Sequence, residues 1–211
     1  MYKKSLPSGL VIQNTEAHHA QGLAALQQKV FPTLSPEEQM GEAHYLQHIC
    51  IFPEGQFVVL DGERAVGMST TMRYHFSLAQ HTFLEISGNL WMTTHEPDGD
   101  WLYGLDVGVD PEYRGMGLAR EIYRARQETC RALALKGQIT VGMMNGYQAR
   151  SHELSTDAYY ELLKKGEIND PTVSVQLRMG FEIQGLIHDY LDDPKCGNCG
   201  VLMTLDANKP V

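Results

Sequence analysis

Between Leu102 and Leu135 an apolar strand runs into a short loop bearing arginine and glycine, and the loop opens a long amphipathic helix. That order constrains the chain more than any other feature. Gly115 and Gly117 let backbone approach an anion without an intervening Cβ, Arg114 adds a fixed positive charge, and the first free N–H groups of the helix point at the same place. A strand, a loop and a helix of this kind form a cradle for a pyrophosphate.

Spacing narrows the choice. A dinucleotide-binding G-x-G-x-x-G loop follows its strand directly and has no leading arginine, whereas here Val109-Asp110-Pro111-Glu112-Tyr113 intervenes. No Gly-Lys-Ser/Thr follows, so the loop is not of the Walker type. It reads Arg114-Gly115-Met116-Gly117-Leu118-Ala119, or R-x-x-G-x-A. This segment closely resembles the coenzyme A pyrophosphate loop of the GNAT superfamily of N-acetyltransferases. Upstream, Phe57 to Leu60, the Asp61-Gly62-Glu63 turn and Arg64 to Met72 read as a hairpin. Their order and spacing extend the resemblance over Leu10 to Val141.

The resemblance implies an α/β (α+β) fold, with a mixed, mostly antiparallel sheet flanked by helices and splayed between the family's fourth and fifth strands. It implies one domain over residues 1–211, with a helical insertion at about 146–173. Acetyl-CoA would be the acyl donor, held by Arg114, Gly115, Met116, Gly117, Leu118 and Ala119. The backbone of Val107, Gly108 and Val109 would grip the pantetheine arm, and Asn145 would lie beside it. An N–H of that strand would stabilise the oxyanion when an amine attacks the thioester. The expected activity is direct acetyl transfer to the amine of a small molecule or peptide.

One departure is informative. The family's proton donor to the leaving thiolate is a tyrosine four residues before Gly-Phe; here Gly180-Phe181 is present and Gln176 stands in that place. More than twenty inserted residues also separate Asn145 from this helix. Ser155-Thr156-Asp157 starts a helix over Ala158 to Lys165, which Gly166 ends, and Asp170-Pro171-Thr172 caps the next. The insertion Gly146 to Asp170 is expected to wall the acceptor pocket. F-P-E-G-Q, L-Y-G-x-D-V and G-E-I-x-D-P-T are similar to GNAT domains sometimes fused to carbon–nitrogen hydrolases, and the sequence ends before a hydrolase would begin.

Asp106, beside the strand segment that would hold the carbonyl, is the first candidate for the general base. The competing reading is an Asp that ties down a neighbouring loop or helix. Glu85, placed on the preceding strand, and His95 and Glu96 in the turn before Asp100 rank behind it. For the acid, Tyr190 leads on the strand after Gly180-Phe181, with His188, then Tyr147, Tyr159 and Tyr160. A thiolate with a pKa of about 8.5 can also leave without help. Against transfer stands a non-catalytic acyl-CoA-binding or sensing domain, favoured by Gln176.

Composition adds limits. A formal charge of −9 argues against non-specific nucleic-acid binding and leans toward a cationic acceptor such as an amine. No run approaches the ~20 apolar residues of a membrane span, and the N-terminus lacks a signal-peptide core, so a soluble cytoplasmic protein is expected. A homodimer is compatible with this reading. Of the four cysteines, Cys50 and Cys130 read as buried helical thiols, and Cys196-Gly197-Asn198-Cys199 as a turn between strands rather than half a zinc site. His44 and His48, one turn apart on a helix from Pro36 to about Ile51, read as a surface or lid pair, and no metal is expected.

Overall fold

A computed structural model describes residues 1–211. Eight strands form one sheet: β1 (Lys3–Ser5), β2 (Val11–Asn14), β3 (Phe57–Asp61), β4 (Arg64–Tyr74), β5 (Trp101–Val109), β6 (Gly137–Met143), β7 (Glu182–Ile187) and β8 (Gly200–Asp206). The helices are α1 (Ala20–Val30), α2 (Glu42–Ile51), α3 (Phe83–Ser87), α4 (Leu118–Ala132), α5 (Thr156–Lys164) and α6 (Val173–Arg178). The sheet order is β1-β2-β3-β4-β5-β6-β8-β7. All neighbours are antiparallel except β5 and β6.

That parallel pair positions the site. β5 and β6 are in register only at Leu102↔Gln138, Tyr103↔Ile139 and Gly104↔Thr140, after which they diverge. The divergence begins at an irregularity against β4, where Thr70 pairs with Asp106 and Thr71 with Gly104, leaving Leu105 as the extra residue of a bulge. Bulges bend and twist a strand, so the expected splay has a local cause.

The sheet is covered on both faces, which explains the unbroken apolar run Phe57–Leu60 in β3. Val58 and Leu60 join the cluster containing Leu23 and Leu26 of α1; Phe57 and Val59 join Leu118, Ile122 and Ala125 of α4. Gly108 is needed for close approach rather than for the bulge. A Cβ there would lie 2.7 Å from Met68 Cε and 3.2 Å from Val30 Cγ1, so Met68 and α1 would both have to shift to admit it.

Several elements differ from the sequence reading. The helix expected from Pro36 splits into a 3₁₀ turn, Pro36–Glu38, and α2, because Gly41 restarts the helix while His44 Nδ1 accepts its N–H at 3.0 Å. Glu85 is not on a strand. It completes a capping box in α3, accepting the Thr82 N–H at 2.8 Å while its own N–H donates to Thr82 Oγ1 at 3.1 Å. α4 ends at Ala132, and Ala134 takes the left-handed conformation at φ 52°. Cys50 is exposed. No helix is long and apolar enough to cross a membrane.

His48 has no exposure, and its Nε2–H donates to the Leu90 carbonyl at 2.6 Å. Burial is the main cause that pushes its pKa down to about 4. The unfolded chain therefore takes up the proton first, and stability is lost as pH falls from about 6.5 through about 4. The loss approaches about 3 kcal/mol. His48→Gln keeps a donor for Leu90 and should flatten this acid limb in urea melts between pH 7.5 and pH 4; equal slopes for both proteins would contradict the assignment.

Candidate active site

A cavity of about 400 Å³ opens where β5 and β6 part. Asp106, Val107 and Val109 line one side and Val141, Met143 and Asn145 the other, with the end of α1 and the start of α6 closing it. Asp110 donates its N–H to Val66, and Val109 faces Gly67, so by alternation Gly108 turns its backbone toward β4. The same alternation turns the N–H and C=O groups of Val107 and Val109 toward the open edge. An extended arm of amide groups laid in the gap would meet them as a strand meets a strand. Gly108 contributes its missing Cβ, not its backbone.

The loop from Arg114 to Ala119 forms the mouth. Gly115 and Gly117 have φ of 80° and 79°, conformations that tight turns reserve largely for glycine, and no atom lies within 4 Å of where their Cβ would be. The Glu121 N–H donates to Gly117, so the amides before it in the first turn of α4 have no intrahelical partner. They converge with the positive end of a 15-residue helix, a favourable place for a phosphate. Arg114 lines the cavity and makes no ion pair. Met116 is half exposed.

Asp110 fixes the loop from below. Its carboxylate bridges Lys29 of α1 and Arg64 of β4, each at 2.8 Å, and accepts the Glu112 N–H at 3.0 Å. Burial raises its pKa, but the two cations and the amide outweigh burial and leave it below the usual value. It is a structural carboxylate.

Asp106 is different. It is 9% exposed; Oδ1 accepts the Thr70 N–H at 2.5 Å, and Oδ2 has no partner. Burial lifts its pKa to about 6, against the opposing pull of the Thr70 amide, Arg126 and Tyr45. A buried carboxyl at a cavity wall, with one oxygen anchored and the other unpartnered, has the proton affinity of a general base near neutral pH.

Tyr190 lines the cavity but follows β7 rather than lying on it. Its hydroxyl is 3.4 Å from that of Tyr103, which is 2.8 Å from His81 Nε2. His188 is displaced to the Cys199 turn, with Nδ1 3.7 Å from Sγ. The remaining candidates serve the scaffold. His95 Nδ1 accepts the Arg73 N–H and Glu96 accepts the His75 N–H, both pinning a loop to β4. Tyr159 donates to Asp170 at 3.0 Å and packs edge-on against Tyr147. The two cysteines lie in the turn between β7 and β8, and burial raises the Cys196 thiol to about 12.

The insertion departs from expectation. Its flanks, Asn145 and Pro171-Thr172, line the cavity; its helix does not. Asn145 Nδ2 donates to Thr172 Oγ1 at 2.7 Å, closing the insertion at its base. Tyr147 and Thr156 pack on Gly197, so the insertion buttresses the turn that carries Asp193 and Lys195 into the cavity wall.

Two residues escaped the sequence reading. Tyr123 of α4 lines the cavity, and its hydroxyl accepts a hydrogen bond from Gln176 Nε2 at 2.8 Å. Arg126 has no exposure, lies 5.1 Å from the Tyr123 ring centroid, and leaves Nε and one terminal nitrogen without partners. It fits because residue 104 is glycine, whose Cβ would lie 1.9 Å from the guanidinium. A glycine inside the apolar run Leu102-Tyr103-Gly104-Leu105 was the available signal.

Known proteins bear on this geometry. The model of the acetyltransferase (GNAT) family matches residues 20–154. An uncharacterized N-acetyltransferase, YkwB of Bacillus subtilis (strain 168), is 32% identical over 197 residues, covering 92% of this chain and 87% of that protein. The probable hydrolase YhcX of the same strain is 32% identical over 87% of this chain, which spans 36% of that protein's length. Among solved structures, the GphF GNAT-like decarboxylase in complex with isobutyryl-CoA superimposes with a TM-score of 0.76 at 22% identity, covering 93% of this chain and 99% of that one. At that identity the likeness speaks for the fold.

Proposed function

The chain belongs to the GNAT acetyltransferase family, and from that premise we propose that it transfers the acetyl group of acetyl-CoA to an amine by direct attack. One observation carries the proposal: the R-x-x-G-x-A loop at Arg114 and Ala119, the open edge at Val107 and Val109, and Asp106 all border one cavity. The loop and Arg114 bind the pyrophosphate, and Asn145 and the β5 edge orient the arm. Asp106 takes a proton as the amine nitrogen bonds to the carbonyl carbon, and an edge N–H of β5 receives the developing oxyanion. Collapse breaks the C–S bond and releases thiol. Holding two reactants in contact supplies much of the acceleration without a covalent intermediate. The acidic chain favours a cationic acceptor, a small amine or a peptide amine.

The second reading, a domain that binds acyl-CoA without turnover, draws on Gln176 at the family's tyrosine position. Thiol release from acetyl-CoA with a panel of amines separates the two. Because the structural neighbour is described as a decarboxylase, isobutyryl-CoA and a carboxylated acyl-CoA belong in the donor panel. Amine-dependent thiol release is the expected result. Coenzyme binding in calorimetry with no release above hydrolysis for any pair would favour the binding domain.

A further inference from the structure

We infer that Tyr123 is the proton donor to the departing thiolate, held in that role by Gln176. The inference rests on the transfer reading above and assigns the role that the missing tyrosine leaves vacant. Tyr123 and Gln176 come from different helices, α4 and α6, and both line the cavity. Gln176 donates its Nε2–H to the Tyr123 oxygen at 2.8 Å, which occupies a lone pair of the phenol and leaves its O–H unspent. No other hydrogen-bond partner engages that hydroxyl. The O–H is therefore available to a group inside the cavity.

Position favours the sulfur as that group. The arm enters from the N-terminus of α4 and runs between β5 and the β6–α6 side, where Asn145, Thr172 and Gln176 stand. Tyr123 lies on α4 within this flank. Tyr190 packs on Phe83 of α3, with ring centroids 6.1 Å apart and its carbonyl accepting the Phe83 N–H, and its hydroxyl is shared with Tyr103. Tyr190 thus belongs to the acceptor side and Tyr123 to the leaving-group side.

A buried cation stands beside this ring. Arg126 sits 5.1 Å from the ring, buried, with two nitrogens unpartnered, so its charge is little screened. As the C–S bond breaks, its electron pair passes to sulfur, and sulfur takes the Tyr123 proton to become the thiol. The resulting phenolate is held by the Gln176 N–H and the Arg126 charge. The proton that left the amine passes from Asp106 to solvent, and solvent returns one to Tyr123, so the cycle balances without a further reagent.

Tyr123→Phe removes one oxygen, and the test compares acetyl-CoA with the acetyl thioester of 4-nitrobenzenethiol, whose thiolate leaves without a proton. The ratio of wild-type to variant kcat/KM should be on the order of 10² for acetyl-CoA and near 1 for the aryl thioester, with coenzyme affinity unchanged. A folded variant with normal turnover, or with equal losses on both donors, overturns the inference. Should Tyr123→Phe fail to fold, Gln176→Met decides by the same pair of donors, since loss of the orienting N–H should slow only acetyl-CoA. Wild-type protein that releases no thiol from acetyl-CoA with any amine sinks the transfer reading and this inference with it; active wild type with a failed ratio sinks this inference alone.

Discussion

Asp106→Asn is expected to give a slower enzyme and a more stable protein. Removing a general base typically costs ~10²–10⁴ in rate, and the acetyl-transfer rate of the native enzyme should itself rise as pH climbs through about 6, where this carboxyl ionises. Stability moves the other way. The folded pKa lies above the usual 3.8, so what the neutral carboxyl contributes is present in full below that value and lost as pH rises through about 6. Two units correspond to about 3 kcal/mol at pH 8. The amide of Asn can still accept from Thr70, and it carries no charge to desolvate. Denaturant melts should therefore show the variant ahead of wild type at pH 8 and level with it at pH 3.5. A variant that is inactive because it is less stable at pH 8 would mean that the carboxylate ties the loop instead.

Gly117→Glu should abolish coenzyme binding while leaving the fold standing. The residue has φ 79° with open space around the missing Cβ, so the change strains the loop by about 1–2 kcal/mol without a clash. The added carboxylate would then face the phosphates. At 5 Å and an effective dielectric of 20, one such repulsion is about 3 kcal/mol, on the order of a 10²-fold loss per phosphate charge. Calorimetry with coenzyme A measures it, and Gly117→Ala supplies the strain without the charge. Equal affinity for Gly117→Glu and wild type would remove the loop from the binding site.

What sequence revealed here followed physical locality. The β3–β4 hairpin, the cradle and the capped helices α5 and α6 are each specified locally by apolar runs, glycines and caps. Asp106 could be singled out because it adjoins the strand segment whose edge is left open toward β6. Tyr123 and Arg126 could not. They lie in the segment Glu121-Ile122-Tyr123-Arg124-Ala125-Arg126-Gln127-Glu128, whose charges read as a solvated face, and only the distant Gly104 makes room for a guanidinium inside. The helical insertion misled for a similar reason. Its position in the chain suggested the cavity wall, but Tyr159 and Asp170 turn its contacts inward on itself and onto the Cys196 turn.

The brief pairing of β5 with β6 leaves the molecule with a seam. Five strands lie on one side and three on the other, joined across the sheet by three residue pairs and stapled beneath by α4. An acyl-CoA arm bonded to the β5 edge on one side and to Asn145 on the other would act as a partial ninth strand, sewing the two halves together. Substrate occupancy and cohesion of the sheet are then one property. A donor that binds only the folded state would stabilise the protein by RT ln(1 + [L]/Kd), and releasing coenzyme A would then loosen the joint that the next donor must close.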